Sequence, residues 1–100
     1  MIEKLTKANF DPLLNQKFEV HPKGMDKVEL ELVKISERDT EFSVSFSLLF
    51  RGPHDPVFRH DTHTVKHPEL GELDLFIGPV MYPKRDGVYY EVVFNRLKND

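Results

Sequence analysis

Four histidines, His54, His60, His63 and His67, fall within fourteen residues of this chain, beside Asp55 and Asp61. Imidazole with carboxylate is the donor set that holds zinc and similar divalent ions, so a small metal- or ligand-binding segment is the sharpest chemical reading available. The spacing works against it. If Thr62 to Lys66 is a strand, His63 and His67 share a face with Cα atoms about 13 Å apart, long for two ligands on one ion unless the strand ends before His67. A loop site built from His60, His63 and one acid stays open, because a tight turn brings residues three apart together, yet no zincin-type spacing is present. Solvated loop histidines and a His-Pro turn account for the same residues, and no metal ligand is assigned.

Other chemistry-bearing types read as surface. Glu29 and Glu31 share the outer face of an alternating strand between Val28, Leu30 and Leu32, with Cα atoms roughly 6.7 Å apart. A glycosidase pair works across a cleft, whereas two outward glutamates on a strand solubilise it. Ser43, Ser45 and Ser47 lack the sharp Gly-x-Ser-x-Gly presentation and a nearby base, so they read as the polar face of a strand whose small side chains let another element or chain approach. No catalytic or cofactor-binding residue is assigned, and the expectation is a protein that is not an enzyme and needs no cofactor.

Composition sets the frame in which such residues must sit. One hundred residues suffice for one core, which buries roughly two-thirds of the unfolded surface and makes residues 1–100 a single domain. Cysteine is absent, excluding disulfides and thiolate sites and suiting a reducing, cytoplasmic setting. The opening Met1-Ile2-Glu3-Lys4-Leu5-Thr6-Lys7 has no signal-peptide apolar run, and no stretch is long enough to span a membrane as a helix. The net charge is -3 with the signs interspersed, so the basic stripe that a nucleic acid backbone demands is missing.

The periodicity is that of strands. From Phe42 to Phe50 large apolar residues hold the even positions and serines hold 43, 45 and 47, which predicts a half-buried strand. Val28 to Leu32 alternates likewise, but Val33 and Ile35 have the wrong parity, and a bulge near Leu32 would restore the register. Ser36 to Thr40 then reads as a hairpin connection. Leu73 to Ile77 ends at Gly78-Pro79, and Lys84-Arg85-Asp86-Gly87 supplies a turn in which Asp-Gly takes positive φ cheaply before a last strand, Val88 to Phe94. Weaker strands are Lys17 to His21 and Phe58 to Lys66. Thr6 caps a short turn through Ala8, Asn9 and Phe10 that Asp11-Pro12 interrupts, expected to plug one end of the sheet. The fold class is therefore all-β: a small antiparallel barrel or strongly curved sheet of about six strands with a short N-terminal helical turn.

Three segments carry a likeness to known sequences: Phe46-Ser47-Leu48-Leu49-Phe50-Arg51-Gly52-Pro53, His67-Pro68-Glu69-Leu70-Gly71-Glu72-Leu73 and Tyr90-Glu91-Val92-Val93-Phe94-Asn95. With Leu5-Thr6, Asn9-Phe10, Leu14 and Phe18 they resemble the small bacterial domain-of-unknown-function family 6916 over nearly the whole chain. That resemblance supplies no catalytic residues and implies a structural accessory of phage-tail-like or tail-collar-like proteins. It departs at His60-Asp61-Thr62-His63, where relatives more often show a Gln-Gly-Thr-Tyr-like stretch. Apolar residues off the core face, Val33, Ile35, Leu49, Phe76, Tyr89 and Val93, add a physical reason to expect a protein partner or self-association.

Overall fold

The computed structural model describes residues 5–97, and six antiparallel strands close into a barrel. They are β1 (Lys17–His21), β2 (Val28–Asp39), β3 (Ser43–Gly52), β4 (Asp61–His67), β5 (Gly71–Val80) and β6 (Val88–Leu97), in the spatial order β1-β2-β3-β6-β5-β4. A one-turn helix, α1 (Lys7–Phe10), runs straight into a 3-10 turn over Asp11–Leu13. Asp11-Pro12 thus continues the turn instead of interrupting it, since proline at the start of a helical turn lacks only a donor that would be unpaired anyway.

Alternation decides which residues fill the barrel. Phe18 and Val20 of β1, Val28, Leu30 and Leu32 of β2, Phe46, Leu48 and Phe50 of β3, and Tyr90 and Val92 of β6 are all buried in one cluster. The bulge falls where parity demanded it: Leu32 pairs with Phe50 but Lys34 pairs with Leu49, so Val33 is the extra residue. After the shift Ile35 lies opposite Leu48 and packs against the core, which corrects its expected off-face position.

Three expectations shift. Ser36 to Asp39 are strand, and the β2–β3 turn is Thr40-Glu41-Phe42, held by the Ser43 N–H donating to Thr40 Oγ1 at 3.0 Å. Phe42 is accordingly not the first core residue of β3 but lies in the turn, 73% exposed. Positive φ belongs to Gly24, Gly71 and Asn15 and not to Gly87, whose bareness instead admits the Gly52 carbonyl at close range.

The barrel is uneven around its circumference. β3 and β6 pair along ten residues, Ser43↔Leu97 to Gly52↔Val88, whereas β5 meets β6 through only Gly78↔Glu91, Pro79↔Tyr90 and Val80↔Tyr89. Beyond that seam, β2, β3 and β6 run on as a three-stranded lobe. The overall dimensions of 41 × 31 × 24 Å reflect this extension. Phe10 covers the lobe's inner face, its ring centroid 5.9 Å from Phe46 and 5.6 Å from Phe94, which themselves stack at 4.6 Å. The N-terminal turn is therefore the expected plug.

Candidate functional site

The four histidines do not converge. His54 is exposed and its Nε2 donates to the Arg85 carbonyl at 3.0 Å. His60 is exposed too, its ring lying over Gly78 and stacked on Phe76 at 5.8 Å. His63 and His67 share the inner face of β4, as a period of two requires, and both are buried. His67 Nδ1 accepts the Glu69 N–H at 3.0 Å, which leaves the proton on Nε2 to donate to Gln16 Oε1 at 2.9 Å. His63 Nε2 donates to the Arg59 carbonyl at 2.9 Å. Each imidazole has its own structural partner, and among the described residues no three His, Asp or Glu side chains gather as metal donors.

Two grooves mark the outer surface. The one beside His67, about 580 Å³, is rimmed by two ion pairs, Lys17 with Glu29 at 3.7 Å between β1 and β2 and Lys66 with Glu72 at 3.4 Å between β4 and β5. The other, about 440 Å³, lies on the outer face of the lobe, where Ser36, Ser45 and Ser47 form a low floor beside Arg38, Glu91 and Val93. Ser45 and Ser47 thus line the outer face of β3, as the alternation predicts, while Ser43 is not part of this floor.

Sequence reasoning missed an outer network that crosses β2, β3 and the start of β6. Arg51 of β3 reaches Glu31 at 2.6 Å with one nitrogen and Asp86 at 3.1 Å with the other, and the Tyr89 hydroxyl donates to Asp86 at 2.6 Å. Tyr82 packs on Tyr89 at 4.4 Å. The Tyr89 hydrogen bond, with Arg51 behind it, holds the Asp86 carboxyl below its ordinary range. Burial, then the bond to Asp86, pushes the Tyr89 hydroxyl up. Arg51 and Tyr89 stand opposite each other in the β3–β6 register, so the pairing is legible only once the strand order is known. Leu49 is buried too, outside the core cluster, on the same outer side of β3.

The second missed feature is Phe58. Expected at the start of a strand, it lies instead in the β3–β4 connection, and its ring fills the mouth of the barrel opposite α1. It stacks on Tyr90 at 4.2 Å with planes 12° apart and meets the His63 ring edge-on at 5.0 Å. The residue was visible in the sequence as a lone phenylalanine between Pro56 and a charged run; only the fold shows that a loop carries it inward.

Residues 5–94 match the family model described as Domain of unknown function (DUF6916). This chain belongs to the DUF6916 family. The match spans the closed barrel and the N-terminal plug, so the DUF6916 domain is the barrel itself. No curated protein and no solved structure matches the chain. No helix among the described residues of this DUF6916 domain is long and apolar enough to cross a membrane.

Proposed function

We propose that this DUF6916 domain is a non-enzymatic module that binds another protein, or a second copy of itself, through the outer side of β5 and β6. One observation carries the reading: the two strands share only three residue pairs, and Phe76 and Val93 flank their divergence at 63% and 61% exposure. Extending the Gly78↔Glu91 register puts Phe76 opposite Val93, so both project outward where backbone edges lack a described partner strand. Apolar side chains beside an open edge suit the addition of a partner strand, the main chain supplying affinity and the side chains specificity. The serine-floored groove beside Val93 gives that partner room. A place in a phage-tail-like or tail-collar-like assembly is the narrower form, supported by the family resemblance.

Size-exclusion chromatography with light scattering, and a pull-down from the native host, test the reading with a Phe76→Lys/Val93→Lys double variant beside the wild type. The expected result is self-association or a retained partner that the variant loses while its urea midpoint stays close to wild type, because both side chains are solvent-facing. A wild type that is strictly monomeric and retains nothing sinks it.

A further inference from the structure

The mouth of the barrel contains two polar atoms that the fold leaves unpaired. His63 is 3% exposed and its Nε2 proton is committed to Arg59, so Nδ1 presents a buried lone pair with no hydrogen-bond partner. The Tyr90 hydroxyl is buried and unpartnered as well. Burial raises its pKa, and the nearby Phe58 backbone pulls the other way without completing a hydrogen bond of ordinary geometry. Buried polar groups are ordinarily satisfied, and two exceptions beside one side chain call for a shared cause. That side chain is Phe58, against which both rings pack. It comes from an irregular connection and not from a strand, so withdrawing it breaks no β-ladder pairing. On its outer side, between the β1–β2 and β3–β4 connections, lies a cavity of about 290 Å³ bordered by Met25, Val57, Phe58, Arg59, Asp61 and His63.

We propose that the Phe58 slot is a small-molecule site. A planar aromatic compound bearing a hydroxyl or N–H group enters through this cavity, displaces the Phe58 ring and stacks on Tyr90. Its polar groups meet His63 Nδ1, which accepts only, and the Tyr90 hydroxyl, which donates or accepts. Phe58 is the occupant of the empty state: it supplies the ring but cannot supply the hydrogen bonds. A ligand of the stated class supplies both, which gives it an advantage over a plain hydrocarbon ring of equal size. The site is separate from the β5–β6 surface and stands or falls independently of it.

The full chain is titrated with phenol and with toluene, which differ at the hydroxyl, while the NMR signals of Phe58, His63 and Tyr90 are followed. Phenol is expected to shift all three saturably and to bind about tenfold tighter than toluene, the ratio that one added hydrogen bond to an unpaired buried group confers. Tyr90→Phe keeps the stacking ring, removes the hydroxyl and is expected to narrow that ratio. No saturable shift with phenol, equal binding of the two probes, or a preference that Tyr90→Phe leaves intact overturns the proposal. Should Tyr90→Phe fail to fold, the wild-type comparison decides.

Discussion

Gly52 ends β3 where a side chain has no room: a Cβ there would meet Leu30 Cδ2 at 2.5 Å and Tyr90 Cε1 at 3.3 Å. Leu30 and Tyr90 are core residues at the Phe58 end, so they cannot step aside cheaply. Gly52→Ala is expected to destabilise the protein by about 1–3 kcal/mol through overpacking, read as a lower urea midpoint. The Asp86–Tyr89 pair makes a separate prediction in pH. The folded state raises the Tyr89 pKa above its ordinary 10.0, so its contribution is fully present below that value and is lost as pH rises through the folded pKa. For Asp86 the folded pKa is depressed below 3.8, so its contribution is present above that value and is lost as pH falls through the folded pKa. Urea midpoints measured across pH should therefore fall at both extremes, and Tyr89→Phe should flatten the alkaline limb and weaken the acid one. An unchanged alkaline limb in the variant would show that Tyr89 contributes nothing there.

A four-residue helix such as α1 has no stability of its own, because nucleation costs more than so few hydrogen bonds return. Its anchor is Phe10, fully buried against Phe46 and Phe94, with the Thr6 N–H donating to Asn9 Oδ1 at 2.8 Å to fix the first turn. Phe10→Ala is expected to cost about 3–5 kcal/mol, a large share of the stability of a domain this size, and to release the N-terminal turn to proteolysis. Digestion that leaves residues around the turn as protected as in the wild type would place the anchor elsewhere. The bulge at Val33 acts on the same element scale, since it rotates Ile35 onto the core beside Leu48. It was legible because the parity of Val28 to Leu32 and that of Val33 and Ile35 conflict in the chain itself. The β2–β3 turn was misjudged by a few residues because Ser36, Glu37, Arg38 and Asp39 are polar. They belong to the extending lobe, where a strand needs no buried face to continue along its neighbour.

At the scale of the molecule, β5 and β6 each run for ten residues yet pair through only three, which leaves the rest of their facing edges open. Hydrogen exchange should find the β6 amides over 92–97 that face β5 exchanging faster than those bonded to β3, and equal protection would mean that something covers that edge. The sequence by itself determined the strand count, the core faces of β1, β3 and β6, the bulge and the N-terminal plug, because a period of two and a cap are properties of neighbouring residues. It could mark the histidines but not separate them. Whether His63 and His67 turn inward to private partners while His54 and His60 stay outside depends on Arg59, Gln16 and Arg85, one of them 51 residues away in the chain. Only the tertiary structure decided that Arg51 joins Glu31 to Asp86, that Phe58 closes the barrel from a loop, and that β5 and β6 part after three pairs. Such contacts are set by strand order and by how far each hairpin extends, and local periodicity encodes neither.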